Sequence, residues 1–189
     1  MILRKLLCST SCVVLISIQS TGLAQKENLI SRSNASQVAA NESSKPDWPV
    51  NIIVPRGVRP FMRTMLDRSP TFRHQWERIA VVRQLLIRVV VRTPSPNCGC
   101  RAFSVAEHYA DGFIRITVYL LPPHVKDPEL IAHEFEHALE QADGLNLKAL
   151  VNVKGSGVYL SDEDYFETLR ARRAGDAVSN EFFSHHVGK

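Results

Sequence analysis

The sequence predicts an α+β domain in which a small antiparallel sheet packs against helices. Three segments in the middle of the chain are rich in β-branched residues or alternate apolar with polar residues, as strands do. Helix-start signals of the Ser-Pro and Asp-Pro type stand before and after these segments. With 189 residues, of which 44% are hydrophobic, the chain is long and apolar enough to bury a core.

The predicted helices are marked by their ends. A first helix is expected from Pro60, and a second from Ser69 as N-cap with Pro70 in the first turn. The best-marked helix begins after Asp127, which caps it, and ends at Gly144, the residue type that most often follows a helix.

The predicted strands cover residues 85–92, 101–107 and 113–121. The last two are separated by Ala110-Asp111-Gly112, a hairpin signal. Strands that follow one another through short connections usually pair with their neighbours. An antiparallel meander is therefore expected.

Residues 1–24 have the layout of a secretory signal peptide. Arg4 and Lys5 precede the apolar stretch 6–18, and 22–24 supply small residues at a cleavage position. An uncleaved membrane anchor is the alternative, although the apolar stretch is short for a span. Export to the periplasm or the medium is expected, and no membrane span is expected in the mature chain.

The remainder divides into a linker and a domain. Residues 25–47, rich in Ser, Asn, Gln and Ala, predict a flexible linker, so that the folded domain covers 48–189. After export, Cys98 and Cys100 are the only cysteines left. A strained disulfide, an intermolecular bridge and a free pair all remain open.

Charge is unevenly distributed. Residues 56–101 contain ten arginines and two acids, whereas acids outnumber bases in 102–189. Packing of two oppositely charged parts is the simpler interpretation, and a basic surface for phosphate or anionic lipid is the alternative. Because the arginines are spread out rather than clustered, no nucleic-acid partner is expected.

One motif carries chemistry. His133 and His137 lie four residues apart in the best-marked helix, so both imidazoles point to one place and can hold one zinc ion. Glu134 lies between them, placed to activate a water as a general base rather than to act as a ligand. Glu136 and Glu140 are expected to be solvated or to orient an imidazole.

A third zinc ligand is expected from a last helix, running from near Ser161 to about Phe183. Glu167 is the candidate because its neighbours on the helix face are small and apolar, where a carboxylate needs a partner or a metal. Glu181, on roughly the same face, is the runner-up. Asp176 lies among arginines on a solvated face.

These segments resemble a known class of metallopeptidases. The sequence AHEFEHALE at 132–140, followed by Phe-Glu-Thr at 166–168, resembles the gluzincin branch of the zincins, the thermolysin-like class. It is similar to small exported bacterial proteins of uncharacterised function that share an AHE-x-x-HALE helix and a later FET segment. The similarity extends over about 62–183.

The resemblance implies a zincin-like fold, with the motif helix packed on the sheet and a C-terminal helix supplying the third ligand. It implies hydrolytic potential, with zinc held by His133, His137 and Glu167. It also implies a sheet edge beside the cleft that pairs with an extended peptide. Segment 113–121 is either this edge or an ordinary strand.

Three functions are compatible with the sequence. The leading hypothesis is a zinc hydrolase that cleaves peptide bonds outside the cytoplasm. The second is a non-catalytic zinc protein with a closed site and a structural or binding role. The third is a basic-surface binding module in which the histidine motif is accidental.

Overall fold

The structure, a computed structural model, describes residues 11–16, 48–93, 100–160 and 165–184. The predicted linker therefore lies outside the described residues. Helices and a small sheet are both present, which confirms the α+β class. The elements in chain order are β1 (Ser11–Ile16), β2 (Ile52–Ile53), α1 (Arg59–Arg68), α2 (Pro70–Val81), β3 (Leu85–Val91), β4 (Ala102–His108), β5 (Ile114–Leu120), α3 (Pro128–Ala142), α4 (Leu147–Leu150), β6 (Val158–Leu160), β7 (Phe166–Thr168) and α5 (Leu169–Ser184).

The predicted helix ends are confirmed. The Ser69 side chain accepts a hydrogen bond from the Phe72 amide at the start of α2. Asp127 accepts from the Glu129 amide at the start of α3. Gly144 follows α3 with a φ of +75°, the left-handed conformation that glycine adopts without a steric cost.

The sheet is mixed, so the predicted antiparallel meander is wrong as a whole, although its second hairpin is confirmed. The strand order is β1-β4-β5-β3-β2, and among the described strands of this sheet only β4 and β5 pair in antiparallel fashion. β3 runs parallel to β5 and β2 runs parallel to β3. The connection 92–101 is longer than a hairpin turn, so β4 can cross to the far side of β5.

β5 takes the centre of the sheet because its side chains suit a buried position. Ile116, Val118 and Leu120 alternate along it and are buried. Since β5 is bonded to β4 on one side and β3 on the other, segment 113–121 is not a free edge. It is an ordinary sheet strand, and no peptide can pair with it.

The core lies between the sheet and the helices. α3 contacts β4 and β5 on one side and α2 and α5 on the other. Phe72 of α2 lies 5.5 Å from Phe135 of α3, between ring centroids, and Trp76 stacks on the same ring at 6.2 Å. Burying each such side chain stabilises the fold by about 1.5–3 kcal/mol, which anchors α3 against α2.

The last helix begins later than expected. α5 starts at Leu169, and residues 166–168 form β7, which pairs with β6. Ser161 lies outside the described residues. The hydroxyl of Thr168 accepts a hydrogen bond from the Ala171 amide at 2.9 Å, so Thr168 caps α5.

β1 falls inside the predicted signal peptide, which remains a prediction. Its main chain pairs in parallel with β4, from Ser11 opposite Ala102 to Ile16 opposite Glu107. β1 also contacts α3 and β7. Among the described residues, no helix combines the length and apolar character that crossing a membrane requires.

Candidate metal centre

α3 is enclosed on all sides. Every residue from Leu130 to Gln141 is buried, including two histidines, three glutamates and a glutamine. A buried polar side chain destabilises the fold unless it is hydrogen-bonded or bound to a metal. The hydrogen-bond partners of these side chains therefore indicate which of them stabilise the fold and which are available to bind a metal.

The two motif histidines and Glu167 meet at one point, as the sequence predicts. Nε2 of His133 lies 3.0 Å from Nε2 of His137 and 2.9 Å from Oε1 of Glu167. Nε2 of His137 lies 3.5 Å from the same Oε1. The three residues form a buried group that could hold a metal ion.

The donor set of this group fits a cation. Two imidazole nitrogens at 3.0 Å cannot both present lone pairs to each other without a proton or a cation between them. Two His nitrogens and one carboxylate oxygen form a common ligand set of zinc sites that leave a fourth position open. The observed separations are close to those of ligands sharing a tetrahedral ion, roughly 3.3 Å for bonds of about 2.0–2.1 Å.

Glu167 reaches this group from a strand. It pairs with Tyr159 in the β6–β7 hairpin, one residue before the Thr168 cap of α5. The expectation that it lies on a helix face among small residues is therefore wrong, although the residue itself is placed in the group.

Charges within the group compensate one another. Burial raises the pKa of the Glu167 carboxyl, but hydrogen bonds from His133 and His137 outweigh burial and hold the pKa below its ordinary value. Burial lowers the pKa of the His137 imidazole, but hydrogen bonds to Glu140 and Glu167 reverse this and raise it to about 10. Without a metal, the His137 imidazole therefore carries two protons. A metal ion that binds Nε2 must displace the proton there, while Nδ1 keeps its own.

Glu134 is compensated less well than Glu167, because the pKa of its carboxyl stays above the ordinary value while that of Glu167 falls below it. It is fully buried, and among the described residues neither carboxylate oxygen forms a hydrogen bond of good geometry. Burial raises the pKa of its carboxyl, and the nearby imidazoles of His133 and His137 only partly oppose that effect, as does Ser104 of β4. A buried carboxyl with a raised pKa is a candidate for proton transfer.

Glu136 and Glu140 are buried, not solvated. Glu136 accepts hydrogen bonds from Gln75 of α2 and Arg170 of α5, each at 2.6 Å, and so ties three helices together. Glu140 lies beside an imidazole, 2.8 Å from Nδ1 of His137. The sequence left orientation of an imidazole open for both residues, and the structure supports it for Glu140 alone.

The structure does not bring the runner-up ligand to the group. The carboxylate of Glu181 accepts hydrogen bonds from the Ser69 hydroxyl, and from the Thr71 amide and hydroxyl at 3.1 Å and 2.6 Å. It therefore caps α2. Asp176 is exposed, as expected.

The cysteine pair is only partly described. Cys100 is disulfide-bonded. Cys98 lies outside the described residues.

Two contributors were missed by reasoning from the sequence. Thr168 directly follows Glu167, and its hydroxyl donates a hydrogen bond to Glu140. Its position in the Phe-Glu-Thr segment is the only sequence signal that pointed to this residue. Gly175 of α5 lies so close to α3 that a Cβ there would be 2.9 Å from the Glu129 carbonyl oxygen and 3.4 Å from Cβ of His133. The bare backbone of Gly175 lets the two helices approach, and no local pattern reveals this.

Comparison with known proteins returns nothing similar. The chain matches no protein-family model, no curated protein and no solved structure.

Proposed function

We propose that this protein is an exported zinc-dependent hydrolase of the gluzincin type that cleaves peptide bonds. The observation that carries the proposal is the buried group of His133, His137 and Glu167 beside the fully buried carboxyl of Glu134, which among the described residues forms no hydrogen bond of good geometry. Two imidazoles and a carboxylate are ligands that zinc favours, and they leave one coordination position free. A zincin-like fold is part of the proposal, supported by a motif helix packed on a sheet and a glutamate from a later element.

Each residue has a defined task in this proposal. His133, His137 and Glu167 hold the ion, which supplies a Lewis acid and lowers the pKa of water when bound. Glu134 acts as the carboxylate: it takes a proton from the attacking water and delivers it to the leaving amine. Burial, which raises the pKa of its carboxyl, makes that carboxylate a stronger base.

One observation favours the second candidate function, a non-catalytic zinc protein. The exposed fractions of His133, Glu134, His137 and Glu167 are 6%, 0%, 0% and 3%. A substrate must reach a catalytic ion, whereas a structural zinc site is closed. β1 contacts both α3 and β7, which carry these residues. We therefore expect loss of residues 1–24 to increase the exposure of the group.

Zinc analysis and a peptidase assay test the proposal together. We expect about one zinc per chain in the wild type, none in His137→Ala, and unchanged zinc with no peptide hydrolysis in Glu134→Gln. The assay should compare the chain of residues 25–189 with the complete chain. Zinc without hydrolysis in both chains would support the non-catalytic protein, and no zinc in either would reject both functions.

A further inference from the structure

The two segments that the sequence singled out each contain a residue that the proposed function does not use. Glu140 ends the first segment, 132–140, and Thr168 ends the second, 166–168. In the structure the side chains of these two residues are hydrogen-bonded to each other. The Thr168 hydroxyl donates to Oε1 of Glu140 at 2.6 Å.

Glu140 connects this bond to the metal group. Its other oxygen, Oε2, lies 2.8 Å from Nδ1 of His137. Because a carboxylate only accepts hydrogen bonds, Nδ1 must carry the proton. Nε2, the nitrogen that faces His133 and Glu167, is then the one left to bind a metal.

Burial makes this arrangement rigid. The side chains of Glu140 and His137 are each 1% exposed, so water cannot replace either hydrogen bond. Thr168 is held in turn, because its hydroxyl accepts from the Ala171 amide while it donates to Glu140. The position of the Glu140 carboxylate is therefore set by the first turn of α5.

We propose that Glu140 and Thr168 are positioning residues that orient His137 for metal binding and tie that orientation to the β7–α5 junction carrying Glu167. The inference rests on the proposed function, because it concerns residues that orient a ligand of the same metal site. Such partners typically change metal affinity by about 10–100-fold when they are mutated. Neither residue belongs to the group of side chains that could hold the ion.

The chain contains a matched control for Glu140. Glu136 is also a buried glutamate of α3, and it also accepts two hydrogen bonds, from Gln75 and Arg170. It contacts no imidazole through a hydrogen bond among the described residues. Replacing either glutamate by glutamine disturbs a buried network, but only the Glu140 substitution alters the partner of His137.

The test compares the zinc dissociation constant of the complete chain and its variants by competition with a chelator. Glu140→Gln should weaken zinc binding at least about tenfold, because the neutral amide has one acceptor atom for two donors. Glu136→Gln should change thermal stability while its zinc affinity stays within about twofold of wild type. The visible spectrum of the Co²⁺-substituted protein should shift in Glu140→Gln and not in Glu136→Gln.

A second pair of variants keeps the test decisive if Glu140→Gln folds poorly. Thr168→Ser retains the hydroxyl and should bind zinc like wild type, whereas Thr168→Val should weaken binding. Equal zinc affinity in wild type, Glu140→Gln and Thr168→Val would overturn the inference and leave the proposed function intact. Absence of zinc from the wild type would overturn both.

Discussion

At the scale of single residues, the site depends on which carboxylate points inward. Glu167 and Glu181 are both acids of the C-terminal part of the chain, but only Glu167 lies beside the imidazoles, 2.9 Å from His133. Glu181 is occupied by three hydrogen bonds at the start of α2. The choice between them follows from which partners each oxygen already has.

Removing each carboxylate in turn should distinguish the metal ligand, Glu167, from the helix cap, Glu181. Glu167→Ala should weaken zinc affinity at least about tenfold, because the ion loses one of three protein ligands. Glu181→Ala and Asp176→Ala should leave it nearly unchanged. Isothermal titration of the metal-free proteins with zinc measures all three, and equal weakening by Glu181→Ala would contradict the assignment.

Gly175 should be intolerant of a side chain. Alanine normally favours a helix over glycine by about 1 kcal/mol, but here its Cβ would collide with the Glu129 carbonyl oxygen at 2.9 Å. Because backbone cannot move aside cheaply, we expect Gly175→Ala to reduce the free energy of unfolding by about 1–3 kcal/mol. Asp176→Ala, at the exposed neighbouring position, is the control in urea unfolding and should change it by less than about 0.5 kcal/mol.

At the scale of elements, the contact between α5 and the start of α2 is electrostatic. The unpaired amides at a helix N-terminus favour a negative charge, and Glu181 supplies one from α5. Burial raises the pKa of the Glu181 carboxyl, but the hydrogen bonds from Ser69 and Thr71 outweigh it and lower the pKa. The ionised form therefore stabilises the fold.

This contact should be lost in acid. A carboxyl whose pKa is lower in the folded state stabilises fully above the ordinary glutamate pKa and loses its effect as pH falls through the lowered value. Glu181→Gln should cost about 1 kcal/mol at pH 7, and the difference from wild type should shrink at low pH. Urea unfolding of both proteins at a series of pH values measures this difference in the free energy of unfolding. Glu77→Gln, an exposed acid of α2, should show no such dependence, and a pH-independent Glu181 effect would count against the cap.

At the scale of the whole molecule, the two oppositely charged parts of the chain do meet. Arg78 of α2 contacts Asp143 through two bonds of 2.9 Å and 3.0 Å, and Arg170 of α5 contacts the same carboxylate at 2.8 Å. Arg101 lies 3.7 Å from Asp127. These pairs favour packing between the charged parts as the role of at least some arginines.

Metal should stabilise the whole fold, because its ligands come from α3 and from β7, which are far apart in the chain. A ligand that binds only the folded state adds about 4 kcal/mol at a free concentration 1,000 times its dissociation constant. We expect zinc to raise the melting temperature and a chelator to lower it in differential scanning calorimetry. His137→Ala should show no response to zinc, and an equal response in that variant would place the ion elsewhere.

Local signals in the sequence determined the helix starts at Ser69 and Asp127, the end at Gly144 and the pairing of His133 with His137, because each depends on residues within one or two turns. The sheet order, the strand that carries Glu167 and the capping role of Glu181 were decided only by the tertiary structure. Each of these depends on partners distant in the chain, such as Ser69 for Glu181. The bond between Glu140 and Thr168 belongs to the same class, since α3 and the β7–α5 junction must first pack together before either side chain has its partner.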